Sequence, residues 1–588
     1  MTLRQLVAAA VFSVVFHGAN APAQQSGADA RFEQIYKADW AWRRHEGTGG
    51  SDEEGSRGRG ISPHLPKVDV ATQQVKLQHE EEVLRQLDTI DANRLSPANQ
   101  VNYAVYRPQV VGLINQQRFK DYEKPLNSDS GFWNAVTGAN RRPFRSETDY
   151  QNYVLMLRDV PRYFAEEMDN MRAGLKRGFT PPQVTLIGRD ASIASIAQAK
   201  TPEDCSLYFP FKSMPGTIAV EEQKKIQADG LAAVRDSALP AFQTLLKFMR
   251  SEYIPGARKE LAAWSMPDGK AYYQAKILEF TTTTLTPEQI HQIGLDEVAK
   301  IRGEMLGVMK QVNFQGDLPS FLKFLRTDPQ FYPTTPQAFL ERAAWIAKEF
   351  DGKASQYFGY LPRQRFGILP VAPDLAPFYT GGRGGPGTYL LNTYDLPSRP
   401  FYSLPALTLH ESAPGHALQM PIALEHKELP AFRRVYISAY GEGWALYCER
   451  LGVEMGIYHT PYETFGMLSY QAWRASRLVV DTGIHTMGWT REQAMQYLRD
   501  NTALSEHEIE TETDRYIAYP AQALSYYLGE MAIWKARRKA EAALGDKFNI
   551  RAFHDAVLEM GSVPLPVLEA RIDHFIQEGG KGPYPDME

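Results

Sequence analysis

Apolar residues recur every three or four positions through most of this chain, and that period suits amphipathic helices rather than strands. It is clearest in VATQQVKLQHEEEVLRQLDTI, YQNYVLMLRDVPRYFAEEMDNMRAGLKRG, AVEEQKKIQADGLAAVRDSALPAFQTLLKFM and PEQIHQIGLDEVAKIRGEMLGVMKQV. The last opens on Thr286-Pro287-Glu288, a capping hydroxyl followed by a proline in the first turn. Strand signals are sparse. The best is TYLLNTY, Thr388 to Tyr394, preceded by GGRGGPG and followed by Asp395 and Pro397. The expectation is a mainly α fold with one small β-sheet near its centre and no repeat of fixed period.

Such a fold needs a core, and 588 residues at 43% hydrophobic and 23% charged supply one. A formal charge of -5 gives no broad basic field, which excludes nucleic acid as a main partner. Cys205 and Cys448 are too few for a disulfide scaffold, and neither lies in a C-x-x-C pair; a single bridge between them stays open. The first residues carry Arg4, an apolar run from Leu6 to Phe16 and a small-residue end at Ala21-Pro22-Ala23, the pattern of a signal peptide over 1–23. A helix of that run rises only about 16 Å, too short for a hydrocarbon core of about 30 Å. The mature protein is therefore expected to be periplasmic or secreted, without stable membrane insertion. It reads as a single helical domain over 24–588, with a flexible loop at 45–64 and the candidate metal site in 370–588.

That site is LTLHESAPGHALQ, which places His410, Glu411 and His416 within seven residues. A neutral imidazole offers a lone pair to a divalent ion, and a carboxylate beside the first ligand can accept a proton from water that the ion acidifies. Histidines six apart on a regular helix sit about 120° from each other and cannot share one ion. Pro414 and Gly415 supply the distortion that would bring them together, one lacking an N–H and the other free in its backbone angles. Further on, AYGEGWALYCERLGVEMG offers Glu442 as a third ligand from a second helix, with Gly441 and Gly443 allowing close approach. Glu449, two turns along the same face, can support a ligand histidine or form an ordinary ion pair.

HESAPGHALQ, AYGEGWALYCERLG and the later DRYIAYPAQALSYYLGE resemble the bacterial "domain of unknown function 885" family, grouped with gluzincin-type metallopeptidases. The resemblance extends over most of the mature chain. It implies a large helical metallopeptidase-like fold with a deep cleft, with His410, His416 and Glu442 as ligands of one zinc ion and Glu411 as general base.

Amide hydrolysis passes through an oxyanion that needs a donor opposite the ion. Tyr516, Tyr526 and His485 are the first candidates, ahead of Tyr519 and Tyr527. Arg477 and Arg515 could hold a substrate carboxylate. GGRGGPG lacks the G-K-[ST] of a P-loop and reads as a flexible loop over the site, with Arg383 adding charge. The strand after it, with Tyr389 and Asn392, is either an edge that pairs with a peptide or an ordinary buried hairpin strand. The leading expectation is an exported zinc-dependent hydrolase of short peptides. Its alternatives are an amidase for non-peptide acyl-amides and a catalytically inactive binding protein; manganese or cobalt would also suit the ligands.

Overall fold

The computed structural model describes residues 22–45, 60–128, 130–373 and 375–585. Most of the expected signal peptide and most of the expected loop at 45–64 lie outside the described residues. Helices dominate, as the apolar period requires. The first are α1 (Pro22–His45), α2 (Val70–Leu87), α3 (Pro97–Phe119) and α4 (Glu147–Arg177). Helix α4 opens on a reciprocal cap between Ser146 and Asp149 and stops at Gly178, whose φ of 74° is the left-handed end that glycine allows. Helix α5 (Pro287–Gln311) begins where the sequence places it, with Thr286 accepting from the Gln289 N–H and Pro287 in the first turn. The stretch AVEEQ to LLKFM forms helices Val220–Ala233 and Leu239–Phe248 joined by a π turn.

The second half contains α6 (Leu404–Glu411), α7 (His416–Glu425), α8 (Ser438–Glu454), α9 (Pro461–Thr486), α10 (Glu506–Ala518) and α11 (Ser525–Leu544). Helix α9 is buried from Phe465 to His485, so it runs through the interior rather than over it. Gly294 of α5 packs against it: a Cβ there would come within 2.7 Å of Val479. Helices α8 and α11 cross at Gly443 and Gly529, where an added Cβ on Gly529 would lie 1.9 Å from the Ala439 carbonyl oxygen. Gly443 thus serves the α8–α11 contact, and Gly441 faces the Tyr436 ring; neither brings α8 to the histidine helix as expected.

One three-stranded sheet stands beside α6, in the order β1 (Gly367–Pro370), β3 (Thr388–Leu391), β2 (Gly382–Gly385). Strand β3 pairs in parallel with β1 and antiparallel with β2. Buried apolar side chains form two clusters. One gathers residues from Ile61 to Ala257; the other joins α1–α3 and α5 to the helices after residue 400, so the site rests on both ends of the sequence. Cys205 lies in the first cluster and Cys448 in the second, both as free thiols.

Candidate metal centre

Helix α6 ends at Glu411, the chain turns through Ser412–Gly415, and α7 starts at His416. The histidines are therefore carried by two helices rather than by one bulged helix. The turn is tight: the Gly415 N–H donates to the Leu409 carbonyl at 3.0 Å, and a Cβ on Gly415 would sit 1.9 Å from the His410 carbonyl oxygen. Trp444 of α8 fastens the turn by donating from its indole N–H to the Pro414 carbonyl at 2.8 Å.

The two imidazole rings lie 4.9 Å apart and nearly perpendicular. Glu442 Oε2 is 3.4 Å from Nε2 of His410 and 3.4 Å from Nε2 of His416. That is long for a hydrogen bond but is the separation of two ligand atoms bound tetrahedrally at about 2.0–2.1 Å, which comes to roughly 3.3–3.4 Å. His410, Glu411 and His416 also offer atoms within 4.8 Å of one another. Glu411 is nevertheless the weaker candidate ligand, because its Oε2 accepts the Gly384 N–H of β2 at 2.6 Å. On the far side of His410, Nδ1 meets Glu449 Oε1 at 2.8 Å, and Glu449 is fully buried. That partner fixes Nε2 as the nitrogen facing Glu442.

Charge reinforces the arrangement. Burial alone would lower the His410 pKa, but the carboxylates of Glu442 and Glu449 outweigh it and push it up to about 10. Burial likewise opposes ionisation of Glu442, yet the neighbouring imidazoles of His416 and His410 hold its carboxyl well below the usual range. The cluster favours positive charge between its three groups, and two imidazoles with a carboxylate are the donor set of a zinc-type divalent ion. The residues fit such an ion.

The centre opens into a cleft of about 2690 Å³. Tyr526 lines it, its ring nearly parallel to His410 at 6.3 Å and its hydroxyl accepting from Arg515 at 3.2 Å. Arg383 and Arg477 also line it. Five expected site residues do not, Tyr527 among them, its hydroxyl donating to Glu297 at 2.8 Å. His485 is fully buried: its Nδ1 accepts the Ala263 N–H at 3.1 Å, so Nε2 carries the proton donated to the Tyr516 carbonyl at 2.9 Å. Burial pushes its pKa down to about 3, so it is a neutral bridge between two backbones, not an oxyanion donor. Tyr516 is equally buried, its hydroxyl accepting from Trp473 at 2.8 Å and Arg477 at 2.9 Å. Tyr389 lies inside the sheet, and Asn392 spends its amide on the Ala376 and Tyr379 carbonyls. Strand β3, central in the sheet, has no edge for a peptide; the outer edges belong to β1 and to β2, which replaces the expected flexible loop.

Sequence reasoning missed Arg474 and Tyr436. Arg474 stands three residues before Arg477 on α9 and lines the cleft with it, a spacing that could have revealed it. Tyr436 lines the cleft with its ring 6.2 Å from His416 and carries no distinguishing local pattern.

Residues 54–572 match the family described as "Bacterial protein of unknown function (DUF885)". The chain is similar to a solved protein described as a candidate lipoprotein from Colwellia psychrerythraea, at 27% identity and a TM-score of 0.83, covering 95% of this chain and 100% of that one. A second solved protein, a candidate lipoprotein of unknown function from Shewanella oneidensis, is similar at 17% identity and a TM-score of 0.66, over 93% and 99% of the two chains. A carboxypeptidase from Pyrococcus furiosus reaches a TM-score of only 0.31, too slight a likeness to bear on fold or chemistry. No curated protein matches the chain.

Proposed function

The chain belongs to the DUF885 family of bacterial proteins, and on that premise we propose that it is a gluzincin-like, metal-dependent hydrolase of peptide bonds in short peptides. The observation that carries this reading is Glu442 Oε2 standing 3.4 Å from both imidazole Nε2 atoms, with Glu449 behind His410. His410, His416 and Glu442 would hold the ion. When bound, zinc or a similar cation supplies Lewis acidity, polarising a carbonyl and making water easier to deprotonate.

The remaining steps belong to the protein's own groups. The Gly384 N–H fixes Glu411 through Oε2, which leaves Oε1 to take a proton from water. The water oxygen bonds to the carbonyl carbon, the carbon–nitrogen bond breaks, and Glu411 returns the proton to the departing amine. Tyr526, whose hydroxyl oxygen accepts from Arg515, keeps its own proton to donate to the developing oxyanion. Export fits the same reading: the first 23 residues have the signal pattern, and both similar solved proteins are described as candidate lipoproteins. No helix among the described residues is long and apolar enough to cross a membrane.

Replacing Glu411→Gln tests the proposal. Digestion of a peptide library, read by mass spectrometry, should fall by at least about a thousandfold while elemental analysis still finds one metal per chain. Undiminished cleavage would remove Glu411 from the chemistry. A wild-type protein that binds no divalent ion and cuts no peptide would remove the function.

A further inference from the structure

Helix α9 is buried, yet it carries Arg474, Arg477, Asp481 and His485 at helical spacing along one face. The two arginines reach the cleft. They are 3% and 1% exposed, and three of their nitrogens, Nε and Nη1 of Arg474 and Nη1 of Arg477, have no hydrogen-bond partner among the described residues. Buried guanidinium N–H groups are rarely left unmatched, because a charged donor loses its water on burial and must be repaid by an acceptor.

The neighbouring acids are already engaged. Glu512 accepts from Arg477 at 2.9 Å and from Arg515 at 3.2 Å. Glu449, 3.5 Å from Arg474, is held through that same oxygen, Oε1, by His410. Three guanidinium groups thus share two carboxylates, which leaves a surplus positive charge in the wall of the cleft. Its distance from the metal centre is set by Tyr526: Arg477 lies 4.2 Å from that ring and the ring 6.3 Å from His410, so the guanidinium is within about 10.5 Å of the His410 ring. Extended peptide advances about 3.3–3.6 Å per residue. One or two residues span the gap once the length of a guanidinium–carboxylate contact is allowed for.

We propose that Arg474 and Arg477 bind the α-carboxylate at the C-terminal end of the peptide, so that the enzyme releases one or two residues from that end. This rests on the hydrolase reading for its cleavage step, while the anion subsite stands on the arginines alone. A planar carboxylate suits it, because two parallel N–H donors can address both oxygens.

The test is calorimetric binding of N-acetyl-alanyl-alanine and of its C-terminal amide to the Glu411→Gln protein, beside a wild-type digest of free-acid and amidated peptides. The acid should bind about 30-fold more tightly than the amide, and the difference should fall below about threefold when Arg477→Gln is added. Equal binding of acid and amide overturns the proposal, and that comparison needs no arginine variant. Inorganic phosphate binding as tightly as the acid also overturns it, since the subsite would then be a general anion site. Acid-selective binding without cleavage by the wild type would keep the subsite and remove the hydrolase reading. Internal cleavage without acid preference would do the reverse.

Discussion

Glu449 shows how much one carboxylate behind a ligand does. It is fully buried and touches His410 Nδ1, so its charge makes the opposite nitrogen a better donor to a cation. Glu449→Gln should keep the hydrogen bond, lose the charge and weaken zinc binding by about 10–100-fold in competition with a chelator. Unchanged affinity would reduce Glu449 to a packing residue. At this scale His410, Glu411, His416 and Glu442 were legible because their chemistry is written locally, as donors at fixed spacing. His485 and Tyr516 misled for a physical reason: a buried polar side chain can satisfy backbone groups as readily as substrate, and only the packing of α9 against α10 decides which. Arg474 went unnoticed beside Arg477 because single arginines more often pair with nearby acids than line clefts.

The turn between α6 and α7 brings the histidines together, and its tightness depends on a missing side chain. Gly415→Ala would drive a Cβ into the His410 carbonyl oxygen, which cannot move without shifting the first ligand. The variant should lose roughly 1–3 kcal/mol of stability in denaturant unfolding, and its zinc affinity should drop with it. Gly138→Ala, in the helix Asn134–Ala139 with open space around it, is the control and should be neutral or stabilising by up to about 1 kcal/mol. Equal effects at both sites would show that the loss is generic to glycine replacement. Proline and glycine foretold a break here, yet the sequence suggested a bulge where two helices meet. Likewise, GGRGGPG looked mobile by composition; β2 forms there because Gly384 can lie directly against the end of α6, where a Cβ would be 1.7 Å from the Glu411 carbonyl oxygen. Helix periods were readable because they are local, whereas a strand of glycines is defined by what it touches.

Across the whole molecule burial raises the pKa of several interior acids. Asp481 is pushed up to about 7, Glu80 to about 7, and Glu167 and Glu530 to about 8, in each case chiefly by loss of solvent. For each, the folded state binds its proton more tightly than the unfolded chain does, so stability is fully present below the ordinary carboxylate pKa and drains away as pH rises through the folded value. Buried His485 and His554, both pushed down to about 3, act on the other side: their contribution is present above the ordinary histidine pKa and fades as pH falls. Asp481 is the cleanest probe. It accepts from the Tyr273 hydroxyl at 2.6 Å and from the Ala521 N–H at 3.1 Å, and the charges of Arg477 and Arg515 only partly offset its burial. In the metal-free protein, Asp481→Asn should gain on the wild type between about pH 4 and pH 7, at up to about 1.4 kcal/mol per unit. Subtracting the two pH profiles of unfolding cancels every other titrating group far from this one. A flat difference would mean that Asp481 ionises as freely inside the protein as in water, and that the polar face of α9 is wetter than its burial implies.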